Sequence, residues 1–341
     1  MRSAFCIILF FLLINDESSY CKGLIIGADK AVNEIFHNKK AKEILSFADS
    51  ISQGYDKVII HLGRKYPFEK GLFSSDSSRR NLRLFNEKLR QNGTKIYLWF
   101  LDSYGSNSFK ILYKEHRAII HDVVFKLYAY SIYYDGLVID MEWINHPRGR
   151  NNNKYINILN YLREKAGNKE IYVFASLIDD DKTNWERGYD IKKIKNYANN
   201  IISMLYIADS KFCTDGFKVS PCLNDRRIDA LKDYFKKNNL QVATSLASGF
   251  VYNIHNQYKF IKTITNKDSL LFENLEEKDI KESKYYFTLK YKVNNPMQIN
   301  ENDRKSVKLK KGDTLYYFKI KREITDINDY IWEYYYIRDY Y

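Results

Sequence analysis

Short apolar runs alternate with longer stretches of helical apolar period from about residue 24 to residue 247. The runs at 24–29, 57–63, 95–102, 134–143, 170–178, 200–208 and 240–247 predict strands, each bounded by turn or polar residues. The stretches at 39–52, 79–92, 109–130, 154–166, 190–199 and 224–238 predict helices. In the first, Ala41, Ile44, Leu45, Ala48 and Ile51 share one face; in the second, Leu82, Phe85 and Leu89 do. Gly93 and Gly167 stand where two of these helices should stop, and Asn224 is a candidate N-cap. Residues 74–78 and 145–153 predict polar loops.

Strands and helices taking turns in this way predict a parallel sheet. An open doubly wound sheet and a (β/α)8 barrel both fit the order. No Gly-x-Gly-x-x-Gly follows the first strand and no Walker loop occurs, which lowers a nucleotide-binding reading. A barrel of about 250 residues matches 24–274. The expected class is therefore α/β, a (β/α)8 barrel with a C-terminal β-rich extension or insertion. Beyond Gly249, 258–265 predicts the seventh helix and 269–274 the eighth strand. Residues 285–293, 306–309, 314–320 and 330–337 look β-like, with a turn at Lys311-Gly312-Asp313. The preferred division is a barrel over 23–277 and a small β-module over 278–341. The competing one inserts 278–322 and puts strand eight at Tyr330-Ile331-Trp332-Glu333.

Within 134–143, Leu137, Ile139 and Met141 share one strand face; Val138, Asp140 and Glu142 share the other. Carboxylates are almost never buried without a partner or a task. An edge strand pointing both acids into water is the plain reading. Asp135-Gly136 at the start, and an apolar run suited to a strand covered on both faces, favour a central parallel strand instead. Its C-terminal end is where barrel active sites sit.

The 341 residues carry 45% hydrophobic side chains, enough for a sizeable core, and 30 Tyr, which suit a sugar-binding cleft as well as they suit a biased composition. The net charge of +13 is spread among 42 acids without a block of like charge, so it reads as a solvated surface, not a nucleic-acid site. Met1-Arg2 followed by an apolar run from Ala4 to Ile14 predicts a signal peptide over 1–22, cleaved between about Ser18 and Gly23. No later run is long enough for an integral membrane segment, so an exported, secreted chain is expected. In an oxidising compartment Cys213 and Cys222 could pair. No metal-ligand spacing and no cofactor motif is present, so neither is expected. His61 and His146 lack a partner at catalytic spacing and read as structural.

Asp135-Gly136-Leu137-Val138-Ile139-Asp140-Met141-Glu142 resembles the strand-four signature D-G-x-D-x-D-x-E of family 18 glycoside hydrolases, the chitinases and endo-β-N-acetylglucosaminidases. Met204-Leu205-Tyr206 resembles the family's Met-x-Tyr on strand six. The resemblance implies hydrolysis of β-linked N-acetylglucosamine-containing glycans, assisted by the substrate. Glu142 would be the acid on the glycosidic oxygen, Asp140 would hold the acetamido N–H, and Tyr206 would donate to the acetamido oxygen. Asp140 and Glu142 on one face would raise one another's pKa, keeping an acid protonated near neutral pH. Val138 stands where the family has Asp, and Ile207 where it has another; Asp209 shares the parity of Ile207 and is a candidate substitute. Of the family's strand-three Ser-x-Gly-Gly, Ser103-Tyr104-Gly105 is only a partial echo. Trp143 is a candidate sugar-stacking or packing residue, and Trp332 the family's sugar-floor Trp if it lies on strand eight. Asp102 and Asp179, at strand ends, line the cleft or cap loops. A chitinase-like lectin on the same barrel is the alternative function.

Overall fold

The computed structural model describes residues 21–27, 35–37, 39–63, 72–73, 75–103, 105–141, 152–175, 180–205, 213–215, 218–220, 225–244, 248–254, 257–263, 275–282, 284, 286–301, 305–320 and 330–335. In chain order come β1 (Cys21–Ile26), α1 (Ala41–Ser52), β2 (Lys57–His61), α2 (Asp76–Gln91), β3 (Lys95–Ser103), α3 (Gly105–Ala129), β4 (Gly136–Met141), α4 (Asn152–Ala166) and β5 (Glu170–Ala175). Then follow α5 (Asp181–Glu186), α6 (Ile191–Ile194), β6 (Asn200–Leu205), the short pair β7 (Cys213–Asp215) and β8 (Lys218–Ser220), α7 (Asp225–Lys237) and β9 (Gln241–Thr244). The remainder is β10 (Ser248–Ile254), β11 (Gln257–Thr263), β12 (Leu275–Glu282), β13 (Tyr286–Val293), β14 (Met297–Glu301), β15 (Lys305–Leu309), β16 (Thr314–Ile320) and β17 (Tyr330–Tyr335).

Eight parallel strands close into a barrel in the order β1-β17-β9-β6-β5-β4-β3-β2. All seven strands expected up to residue 247 are present. The eighth is not the expected 269–274, which lies outside the described residues, but β17, seated between β1 and β9. The insertion arrangement is therefore the one observed, and its sheet begins at Ser248. It is antiparallel, ordered β11-β10-β16-β13-β12. Residues 258–265 had predicted a helix. They lie mostly in β11, where Tyr252 opposes Lys259 and Val251 opposes Phe260. Aromatic and β-branched side chains there favour a pleated surface over a helix.

Local chemistry sets the helix ends. Of the polar stretch 74–78, residues 76–78 open α2, because the Ser75 side chain accepts from the Ser78 N–H at 3.1 Å and caps it. Gly93, at φ +82°, turns the chain back into β3. α1 buries Ile44, Ala48 and Ile51, but Leu45, expected inward, is 36% exposed. The stretch 190–199 holds only the short α6. The preceding α5 follows from Asp180, whose carboxylate accepts from the Lys182 and Thr183 N–H groups.

The barrel has two cores. Leu137, Ile139 and Met141 face the helices, with Ile120, Val123, Ile158 and Leu162 in the same cluster. The lumen holds Ile25, Ile59, Tyr97, Trp99, Val138, Tyr172, Phe174, Ile202, Ala243 and Trp332. Two glycines make room for it. A Cβ on Gly23 would lie 2.6 Å from Trp332 Cδ2, and one on Gly136 would lie 2.6 Å from both the Glu170 carbonyl oxygen and Tyr97 Cδ1. At the lower end, Asp135 joins β3 to β4: its carboxylate accepts from the Ile96 N–H at 2.8 Å and from Tyr133 OH at 2.6 Å.

Candidate active site

Register and alternation decide which side chains reach the mouth. Level positions on neighbouring barrel strands are offset by about one residue, so each lumen layer draws on alternate strands. Following the pairings round the barrel sorts the lumen accordingly. The lowest layer is Gly23, Tyr97, Tyr172 and Gln241. Above it lie Ile59, Val138, Ile202 and Trp332, and above those Ile25, Trp99, Phe174 and Ala243. The top layer contains His61 and Asp140, with Met204 and Tyr334 at the matching register positions.

Ring contacts agree with this order. Tyr97 stacks on Tyr172 with centroids 4.3 Å apart, within one layer. Trp332 meets both edge-on from the layer above, at 6.2 and 6.0 Å. Trp99 meets Phe174 edge-on at 4.9 Å, and the His61 ring lies on Trp99 at 4.3 Å.

The lower end is polar and closed. Glu170 accepts from Lys95 Nζ at 2.9 Å and from Tyr97 OH at 2.8 Å, and Tyr172 OH donates to Tyr97 OH at 3.2 Å. Burial pushes the Glu170 carboxyl up, but bonds from Lys95, Tyr97 and Tyr172 outweigh it and hold the group below its ordinary value. Burial, with the neighbouring carboxylate, pushes both phenols far up. This end of a barrel serves stability.

The upper end is where the chemistry can be. Asp140, only 1% exposed, closes β4 above the apolar Val138. The register of β3 shifts between Trp99 and Leu101, a bulge that pairs Asp102 with Asp140 rather than with its neighbour. Tyr189, itself buried, donates from its hydroxyl to the Met141 carbonyl at 3.3 Å and so fixes the peptide just past Asp140. Nearby, Asn152 Nδ2 donates to the Trp185 carbonyl, and Tyr234 OH donates to Asp181 at 2.5 Å, tying α4, α5 and α7 together.

Of the residues expected at the site, Asp140 occupies this layer. Glu142, Trp143, Tyr206, Asp209 and Asp179 lie outside the described residues, as do Cys222 and the segment 1–20. Asp102 and Met204 are placed by register only. Trp332 is on strand eight and fully buried, its Nε1 donating to Gln241 Oε1 at 2.8 Å, so its described contacts are with protein. His61, read as structural, is 1% exposed and shares the layer of Asp140. An apolar run closing on a histidine, with its parity on the lumen face, was the available signal. Nothing in the sequence singled out Trp99 or Tyr189.

The chain is thus a closed parallel barrel with a buried carboxylate at the C-terminal end of its fourth strand. No family model matches the chain, and no curated protein matches it. Solved structures do. The chain superposes on a chitinase from Chromobacterium violaceum with TM-score 0.58 and 9% identity, covering 90% of this chain and 88% of that one. A family 18 chitinase from Cycas revoluta, in complex with (GlcNAc)3, gives TM-score 0.59 at 10% identity over 92% and 94%. The Bacillus cereus spore cortex-lytic enzyme SleL gives 0.61 at 9% identity over 94% and 72%. The fold is that of the family 18 chitinases and related glycosylases.

Proposed function

We propose that the chain is a secreted glycoside hydrolase acting on β-linked N-acetylglucosamine-containing glycans. The observation that carries this reading is Asp140, buried on the lumen face at the end of β4, within a segment that keeps Asp135, Gly136, Asp140 and Glu142 of the family's D-G-x-D-x-D-x-E pattern and has Val138 at its middle Asp. In this mechanism Glu142 gives its proton to the glycosidic oxygen as the bond to the anomeric carbon breaks. The substrate's acetamido oxygen closes onto that carbon to form an oxazolinium ion. Asp140 orients the acetamido N–H and offsets the charge, and Tyr206 donates to the acetamido oxygen. Water then opens the ring, returning its proton to Glu142. The solved chitinase complex with (GlcNAc)3 supports this substrate class by fold likeness.

Val138 supports a second reading. An aliphatic side chain in the apolar lumen fills the position beneath Asp140 where the family pattern has a carboxyl. A barrel that binds the same glycans without cleaving them is consistent with that change. Reducing-end release from chitotetraose separates the two. Release by the wild type and its loss in Glu142→Gln support the hydrolase; binding with no Glu142-dependent release supports the lectin.

A further inference from the structure

Among the described residues of the lumen, three aromatic side chains donate to identified acceptors. Trp332 Nε1 has Gln241, Tyr97 has Glu170, and Tyr172 has Tyr97. Trp99 Nε1 is buried and, among the described residues, has no hydrogen-bond partner. The indole is 4% exposed. Its own layer offers Ile25, Phe174 and Ala243, none of which carries a side-chain acceptor. A buried donor without an acceptor costs folding free energy and is rare in native proteins, so it asks for a ligand. Its place is telling, because Trp99 lies directly beneath the layer of His61 and Asp140. Contacts with the tilted imidazole and with the edge-on Phe174 hold the indole in place.

We propose that Trp99 is a ligand-binding residue in the floor of the mouth, its Nε1–H donating to an uncharged oxygen of the bound sugar, a hydroxyl or an acyl oxygen. The assignment rests on the proposed saccharide-binding function and adds a contact to it. An indole N–H donates and cannot accept, so this point of the floor favours a sugar oxygen over an ammonium or a protonated amine.

The test uses the full chain labelled with 15N-tryptophan, whose four tryptophans give separate indole resonances. Trp99→Phe assigns the one in question. Chitotetraose is titrated into Glu142→Gln, which keeps the oligomer intact, and cellotetraose serves as the probe without acetamido groups. The expected result is a downfield move and slowed solvent exchange of the Trp99 indole proton with chitotetraose. Trp99→Phe should bind about five- to tenfold more weakly, as for loss of one hydrogen bond. The Trp99 resonance of Glu142→Gln carries the conclusion even where Trp99→Phe folds poorly. Oligomer binding, reported by calorimetry, that leaves the Trp99 resonance unmoved overturns the assignment and spares the proposed function. A Trp99 response to cellotetraose alone keeps the assignment and removes the N-acetylglucosamine reading. No response to either saccharide defeats both.

Discussion

Gly23 and Trp332 lie more than three hundred positions apart in sequence, yet barrel closure puts them in contact. Alanine in place of a strand glycine with free space around it stabilises by roughly 0.5–1 kcal/mol. At Gly23 there is no such space, since the new Cβ would lie 2.6 Å from two atoms of the Trp332 ring. Overpacking of that kind costs about 1–3 kcal/mol. Trp332→Leu removes a fully buried ring and its bond to Gln241, for about 2–4 kcal/mol. In the double variant the leucine vacates the space that the alanine needs. Its total loss should therefore match that of Trp332→Leu alone, a coupling of about 2 kcal/mol. Urea denaturation followed by far-ultraviolet circular dichroism measures all four corners of the cycle, with the slope held constant as a check. Losses that add to within about 0.5 kcal/mol would mean that the two residues are not neighbours. The assignment of strand eight to β17 would then be wrong.

Tyr189→Phe should lose about 1 kcal/mol in the same denaturation, because its hydroxyl no longer donates to the Met141 carbonyl. Val138→Asp, which restores the family pattern, should cost at least about 2 kcal/mol at neutral pH, since the new carboxyl enters an apolar layer; a melting temperature equal to wild type would contradict that. The Glu170 carboxyl lies below its ordinary value of 4.5 when folded, so the unfolded chain takes up that proton first. Its contribution is complete above the unfolded value and fades as pH falls through the folded one. Glu170→Gln should flatten the stability profile as pH falls below about 4.5, and an unchanged acid slope would refute it.

Much of the barrel was legible because each of its first seven strands is a short apolar run isolated by turns, which is a local property. Asp140 was legible for the same reason: alternation along β4 puts it opposite Leu137, Ile139 and Met141. Strand eight was not. The run around Trp332 looks like any of the strands inserted before it, and only pairing with β1 and β9 distinguishes it. The β11 segment was misread because Tyr258, Phe260 and Ile261 fit a helical face nearly as well as a pleated one over so few residues. The company kept by Asp140 was hidden as well. That His61 shares its layer, and that Trp99 lies below, follows from the stagger of a closed cylinder and not from any spacing along the chain.

The placement of β17 between β1 and β9 also bears on how the molecule is made. Synthesis supplies β1 first and β17 last, with the whole antiparallel sheet in between. Until the final stave arrives, the hydrogen-bonding sides of β1 and β9 stay open, and a second nascent chain could pair with either. Closure that waits on so distant a partner is slow by its topology. A crowd of half-made copies is thus where this protein is most exposed to misassembly.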